Sequence, residues 1–441
     1  MQRFAILSAI LAVTAKGASL STQERAALTD ELKAWKNSQS GQVAVEQGYY
    51  HPNLSLMGEE DATPSEDELT RFYNTKLDIE TLAKQNPNAK FSLDTPFTMM
   101  TNEEFAKFAH GSFLQDKSRR LRADMNESAE KSEISEMSEA NAGTIDWTTS
   151  GCVTSVKNQG QCGSCWAFST VAAVESANCL TGAKLVDFSS QQVTSCSTSG
   201  GYGCSGGFPS KALDWIAQNG LCTDASYPYT SGSTQQTGTC STSCQSQHLS
   251  ISGSVNVASG ESSLETALNQ QPIVVVVYAG NNVWKQYSGG VVSSCPQGQS
   301  DHAVLAVGYG SSTSPFFKIK NSWGTSWGDH GYIYLQRGVG GKGTCNVAEA
   351  PTYPRMTGSV SPSTAPTSAP TQAPQPTATR TPQPTTTRTP RPTATKTNSP
   401  TSKPRSKCGS CQNCYYAPGL ACFSNWSRYD CQSSGFQWCG N

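Results

Sequence analysis

The chain has 441 residues, room for two or three domains, and a formal net charge of −1. That balance hides a segregation: residues 16–143 carry 22 acidic and 14 basic side chains, residues 144–355 carry 10 and 9, and the segment after 356 carries eight basic and one acidic. No part is a strong polyelectrolyte and no apolar run is long enough to span a bilayer, which argues against nucleic-acid binding as the main activity and against a transmembrane segment.

Arg3 is followed by an apolar run at residues 4–13 and then by small residues. This predicts a secretory signal over residues 1–18, and a secreted, extracellular destination or a lysosome- or vacuole-like one. An oxidising compartment fits the 17 cysteines, which in such a setting are mostly disulfide-bonded. Residues 436–441 offer no hydrophobic tail for a lipid anchor.

Residues 19–143 contain no cysteine and are rich in Glu and Ser. Stretches 21–35 and 65–85 read as polar helices, the second with a capping-box start at Ser65-Glu66-Asp67-Glu68. Residues 118–141 are charged and poor in aromatics, so they are expected to be mobile. Asn53-Leu54-Ser55 and Asn126-Glu127-Ser128 are glycosylation sequons. An acidic, cysteine-free segment ahead of a cysteine-rich one suggests a piece with a separate fate.

Residues 144–355 carry eleven cysteines, an odd number. Five bridges would leave one thiol over, and a leftover thiol in a secreted protein is flagged as reactive. In Gln159-Gly160-Gln161-Cys162-Gly163-Ser164-Cys165, the glycines mark a turn and Ser164 stands at an N-cap position. From Cys165 to Leu180 a mostly apolar stretch predicts a buried helix. Cys165 then lies in the first helical turn, where the backbone dipole favours a thiolate. A second helix is expected at Ser189-Ser190-Gln191-Gln192 with a capping box, and a third over Pro209–Asn219, closed by Gly220. Strands follow at 273–278, a β-branched run buried on both faces, and at 303–308, 316–321 and 331–336. A helical half followed by a β half predicts an α+β fold of two subdomains with a cleft between them.

A nucleophilic cysteine needs a base, and histidine suits best. Of five histidines this region holds three: His248, His302 and His330. His302 heads a predicted strand, Asn321 ends another, and Gln159 precedes Cys165 by six residues. These are candidates for base, orienter and oxyanion donor, the last acting with the Cys165 N–H. On spacing alone, His302 reads equally as a core or surface histidine, Asn321 as a turn residue and Gln159 as a loop cap.

The strings themselves go further. Gln159-Gly160-Gln161-Cys162-Gly163-Ser164-Cys165-Trp166-Ala167-Phe168-Ser169, the block beginning Asp301-His302-Ala303-Val304, and Asn321-Ser322-Trp323-Gly324-Thr325-Ser326-Trp327-Gly328 closely resemble the three signature blocks of papain-family cysteine proteases. Ile145-Asp146-Trp147, Cys204-Ser205-Gly206-Gly207-Phe208-Pro209, Tyr227-Pro228-Tyr229 and Gln271-Pro272 match in order as well. The resemblance implies a papain-like two-subdomain fold, with a helical N-terminal half and a β-barrel-like C-terminal half. It implies Cys165 as nucleophile, His302 as base, Asn321 as orienter and Gln159 as oxyanion donor. It makes Trp323 the indole that shields the His–Asn bond and Gly206 and Gly207 the backbone that pairs with substrate. The second substrate subsite would be formed by Phe208, Pro209, Val276, Ser300, Ala303 and Ala350, an apolar pocket that favours a bulky hydrophobic residue, with Glu349 one position from its base. It also implies the bridges Cys162–Cys204, Cys196–Cys240 and Cys295–Cys345. The pairing of Cys152, Cys179, Cys222 and Cys244 stays open, and Cys165 is the thiol left outside the bridges.

The segment before residue 144 resembles the family's inhibitory propeptide more loosely. Thr101-Asn102-Glu103-Glu104-Phe105, with Phe91 and Phe97, matches its tail; Glu68, Arg71, Phe72, Ile79 and Asn86 match its long helix; Met99 stands where the family shows Asp. The new N-terminus is expected between about 132 and 144.

Residues 356–407 are rich in Thr, Pro, Ser and Ala with an eight-residue near-repeat, and read as an extended stalk at roughly 3.1 Å per residue. Residues 408–441 hold six cysteines and seven aromatics, and are expected to form a small disulfide-rich module whose exposed rings bind a carbohydrate or a surface. No cofactor and no metal site is implied. The expected partners are polypeptide substrates, the chain's own propeptide as inhibitor and a polysaccharide for the module, with no nucleic acid; the protein is expected to be a monomer. A competing reading makes this a binding or adhesion protein in which the module dominates and the protease domain is secondary.

Overall fold

The computed structural model describes residues 21–51, 63–110 and 143–357, together with three short strands near the C-terminus. The expected signal, both sequons, the stretch 118–141, the stalk and the bridges of the C-terminal module lie outside the described residues. Two units divide the chain, Met1–Gln375 and Pro376–Asn441.

In the first unit the N-terminal segment forms helices α1 (Thr22–Lys36), α2 (Gln39–Glu46), α3 (Glu66–Gln85) and α4 (Asn102–His110), with strand β1 (Ala89–Phe91) between the last two. Ser21 and Ser65 both make full capping boxes, with Glu24 and Glu68 reaching back to the cap N–H. Arg71 ties α3 to α4. Its Nε donates to Asp67 at 2.7 Å and its Nη1 to Glu104 at 2.6 Å and to the Met99 carbonyl at 3.3 Å. Arg71 thus meets two carboxylates, and Met99 contributes only its backbone carbonyl.

The remainder holds β2 (Ile145–Asp146), α5 (Cys165–Leu180), α6 (Ser190–Cys196), α7 (Pro209–Asn219), α8 (Ser231–Thr234), β3 (Ile251–Asn256), α9 (Glu261–Leu268), β4 (Ile273–Val277), α10 (Asn282–Gln286), β5 (Tyr287–Val292), β6 (His302–Ser311), β7 (Pro315–Lys320), β8 (Tyr332–Gln336) and β9 (Thr352–Met356). Helix α5 is apolar around its circumference and 13 of its 16 residues are buried, as befits a helix packed on all sides. It divides two cores. On one side Trp166, Val171 and Val174 pack with Phe188, Leu213, Ile216 and Leu221. On the other the strands pack with Trp147, Ala173, Trp284 and Trp327.

All five residues of β4 are buried, and β4 pairs antiparallel with β6 in a register that sets Val277 opposite His302 and Val276 opposite Ala303. Strand order in the sheet is β1-β5-β8-β7-β6-β4-β9-β3, with β2 added on β6. The barrel-like half expected from the resemblance is therefore an open sheet. Its two ends do not meet: β1 of the N-terminal segment pairs with β5 at one end, and β3 pairs only with β9 at the other.

Ser164 is the N-cap residue of α5 as expected, although its side chain caps no N–H and its hydroxyl lies 2.7 Å from that of Tyr229. One cap expectation is corrected. Ser189 does accept from Gln192 N–H, but Gln192 does not reciprocate: its Oε1 accepts from Cys222 N–H at 2.7 Å.

Five bridges join Cys152–Cys179, Cys162–Cys204, Cys196–Cys240, Cys222–Cys244 and Cys295–Cys345. Among the described residues Cys165 is the cysteine outside a disulfide. No helix among them is long and apolar enough to cross a membrane. In the second unit β10 (Cys414–Tyr416) pairs antiparallel with both β11 (Ala421–Phe423) and β12 (Gln437–Trp438).

Candidate active site

Four elements converge at the N-terminus of α5. The Cys162–Cys204 bridge pins the loop that leads into it. Cys165 is wholly buried at the first helical position, in a small apolar cluster with Val276 and Ala303. The Ala303 N–H points to its Sγ at 3.2 Å. This contact places the head of β6 against the sulfur, so His302 and Cys165 meet although 137 residues separate them.

The His302 Nε2 lies 2.8 Å from Asn321 Oδ1. The Ser322 N–H reaches the same atom at 2.8 Å, which identifies it as the acceptor oxygen. Nε2 therefore carries the proton, and Nδ1 is the nitrogen left to take another. Nδ1 is buried and makes no hydrogen bond. Burial pushes the His302 pKa down to about 4, although the bond to Asn321 acts in the opposite direction. In this closed state the imidazole is neutral at neutral pH.

Trp323 lies nearly parallel to the His302 ring, 4.7 Å between centroids, and is 1% exposed. Trp284 stands edge-on to both rings and stacks on Trp327. The indoles keep water from the His302–Asn321 bond, and in such a dry setting the bond is stronger.

Gln159 is buried and fixed at both ends of its amide. Oε1 accepts from Ser322 Oγ at 2.7 Å, and Nε2 donates to the Cys162 carbonyl at 3.1 Å. One N–H of that Nε2 remains for a ligand.

The expected subsite residues divide. Val276 and Ala303 share the apolar cluster of Cys165, and Ala350 packs against it. Ser300 donates to Glu349, whose carboxylate also receives Lys342 Nζ at 2.6 Å. Phe208 and Pro209 open helix α7 outside that cluster, with Lys211 Nζ 4.4 Å above the Phe208 ring. Gly206 has φ +95°, and a Cβ on Gly207 would stand 2.3 Å from the Trp166 ring, so neither position accepts a side chain.

The N-terminal segment lies on this site. Phe97, Phe105 and Phe108 pack on Trp323 at 5.4–5.6 Å. The Asn86 side-chain oxygen Oδ1 accepts from Ser293 and Ser294 N–H at 2.9 and 2.7 Å, and β1 pairs with β5. Sequence reasoning missed one buried group here, Lys285 on α10, whose Nζ donates to Asn102 Oδ1 at 3.1 Å. Nothing in the string Asn282-Val283-Trp284-Lys285-Gln286 sets this lysine apart from a surface one.

Such an arrangement is equipped for acyl transfer: a thiol at a helix N-terminus, an oriented imidazole and two donors for an oxyanion. Comparisons with known proteins point the same way. Residues 142–355 match the family model described as papain family cysteine protease. Thiol protease SEN102 from Hemerocallis is 38% identical over 299 residues, 67% of this chain and 81% of the relative. Vignain from Ricinus communis is 41% identical over 226 residues, 50% of this chain and 62% of the relative. Among solved structures, the proform of the ragweed pollen cysteine protease Amb a 11 aligns with TM-score 0.60 and 29% identity, covering 74% of this chain and 97% of that one. The stem bromelain precursor aligns with TM-score 0.57 and 32% identity, covering 72% and 98%.

Proposed function

We propose, starting from the fact that this chain belongs to the papain family of cysteine proteases, that it is an endopeptidase precursor in which Cys165, His302, Asn321 and Gln159 perform the chemistry. Nδ1 of His302 takes the Cys165 proton, and the thiolate attacks the carbonyl carbon of the peptide bond. The oxyanion that forms accepts from Gln159 Nε2–H and the Cys165 N–H. The imidazolium then gives its proton to the leaving amine, and the carbonyl remains on sulfur as a thioester. Water, deprotonated by Nδ1, attacks the thioester, releases the acid and returns the thiol. The single observation that carries this reading is the Ala303 N–H on Cys165 Sγ, with His302 held by Asn321.

Residues 19–143 are read as the inhibitory prosegment, 144–355 as the catalytic domain, 1–18 as a secretory signal, 356–407 as a stalk and 408–441 as a cysteine-rich module that binds carbohydrate or another surface. The secretory signal supports a secreted or vacuole-like location. Val276, Ala303 and Ala350 favour a hydrophobic residue at the second subsite, since Glu349 is engaged by Ser300 and Lys342.

Hydrolysis of fluorogenic peptides by the mature protein and by Cys165→Ala, under reducing and mildly acidic conditions, tests the mechanism. A rate unchanged in Cys165→Ala would sink it. Equal turnover of Arg and Leu in the second subsite would remove the apolar assignment.

A further inference from the structure

Two lysines are buried among the described residues. Lys320, 5% exposed, donates to Thr154 within the catalytic domain. Lys285, 2% exposed, is held instead by the prosegment. Its Nζ donates to Asn102 Oδ1, and Asn102 Nδ2 donates in turn to Asp78 Oδ2 at 3.0 Å. Burial lowers the Lys285 pKa to about 8, against the carboxylates that most favour its charge: Asp78, Glu104 and Glu103, all on the prosegment.

The position of Lys285 relative to the chemistry follows from its neighbours. It comes directly after Trp284, whose ring is 6.2 Å from His302 and 6.0 Å from Trp323. Helix α4 runs over this face. Asn102 sits on Lys285, Phe105 and Phe108 sit on Trp323, and Ala106 lies against Gly280, whose N–H donates to Asp301 beside His302. His302 must reach the leaving nitrogen to protonate it, so the leaving half of a substrate departs along the His302–Trp323 side. Departure of the prosegment uncovers the Lys285 ammonium on that side and takes away the carboxylates that flanked it.

We propose that Lys285 is a specificity residue for the leaving half of the substrate, accepting a carboxylate within two residues after the scissile bond, in the place where the prosegment presents its own acidic groups. The inference rests on the peptidase reading above and deepens it. Two sources of that carboxylate are open to the same ammonium, an Asp or Glu side chain and the C-terminal carboxylate of a short leaving peptide.

The experiment uses the mature enzyme and quenched peptides that share one apolar second-subsite residue. They carry Glu, Gln or Lys at the first or second position after the cleaved bond. A companion pair ends two residues after that bond as free acid or amide. Glu over Gln, or acid over amide, is expected by about two- to fivefold in kcat/KM, the size of a partly exposed ion pair, and to shrink with salt. Lys285→Gln, whose amide can keep the bond to Asn102, brings the ratio to about one, Lys285→Arg keeps it, and Lys285→Glu turns it toward the Lys peptide. Ratios near one in the wild type for both carboxylate sources overturn the proposal. So does a ratio unchanged in Lys285→Gln, even if prosegment affinity falls, because the lysine would then serve only the precursor. A wild-type enzyme that cleaves none of the peptides overturns the peptidase reading with it. Cleavage of all at equal rates leaves that reading intact and removes only the role of Lys285.

Discussion

His302 Nε2 stands 2.8 Å from Asn321 Oδ1, an oxygen that the Ser322 N–H also reaches at 2.8 Å. The amide is fixed before any substrate arrives, and it selects the tautomer that leaves Nδ1 toward the sulfur's side of the reaction. Removing it deprives the imidazolium of a hydrogen bond to a charged group. Asn321→Ala is expected to lower kcat roughly 10- to 150-fold, corresponding to about 1.5–3 kcal/mol. Steady-state kinetics on one good peptide decides this; a loss under twofold would mean that Trp323 and burial alone orient the ring.

Gln159 is expected to act on the transition state. Gln159→Ala should reduce kcat by about 10²–10³ with little change in KM, as for other single oxyanion donors. Ser322→Ala removes only the hydroxyl that holds Gln159 Oε1, so its effect should be smaller and of the same kind. If Ser322→Ala raises KM instead, the hydroxyl positions substrate and not the amide.

Acid should loosen the precursor through His302. Its pKa in the closed chain is about 4, below the ordinary histidine value, so the unfolded or opened chain binds the extra proton first. The stabilisation this provides is complete above about pH 6.5 and is lost as pH falls toward about 4, on the order of 3 kcal/mol in all. Glu104 adds to this lower down. Burial raises its pKa, but Arg71 and the Thr101 N–H outweigh burial and leave it below the ordinary value, so its stabilisation disappears as pH drops beneath the usual carboxylate range. Thermal melts of the precursor between pH 7 and 4 should show the decline, and His302→Gln should flatten its upper part. An equally steep decline in His302→Gln would place the acid sensitivity in the carboxylates alone.

Asn86 should matter to inhibition and not to catalysis. Its side-chain oxygen accepts from the N–H groups of Ser293 and Ser294, just after β5 on the catalytic side. At about 0.5–1.5 kcal/mol for each bond, Asn86→Ala in a separately supplied prosegment should weaken inhibition of the mature enzyme about 5- to 150-fold. A change within threefold would show that those N–H groups find other acceptors.

The fold was legible where local chemistry and long-range packing agree. The capping box expected at Ser65 forms, and the Ile273–Val277 run is β-branched and buried on both faces. Legibility failed where a side chain with a local option is claimed from far away. The Ser164 hydroxyl caps no N–H and meets Tyr229, and Gln192 gives up half of its capping box for Cys222 N–H, 30 residues along the chain. The extent of the sheet was equally hidden, since its end strand β1 comes from another segment, paired on β5. At the site, Cys165, His302, Asn321 and Gln159 stand in distinctive strings, whereas Lys285 stands in an ordinary one. Its partner lies on the prosegment helix, 183 residues earlier in the chain.

The pairing of β1 with β5 has a consequence for the enzyme once matured. The Val291 N–H donates to the Asn88 carbonyl, and Gly289 and Gly290 lie opposite Lys90 and Ala89. Cutting the prosegment away strips the strand β1 from one end of the nine-stranded sheet and leaves β5 as the end strand there, with β3 still at the other end. Such ends recruit further strands, including those of identical molecules, and small flexible residues such as these glycines do little to repel them. Amide exchange at Val291 should therefore be slow in the precursor and fast in the mature form. The concentrated mature protein should be the less soluble of the two, which a comparison of their precipitation thresholds checks.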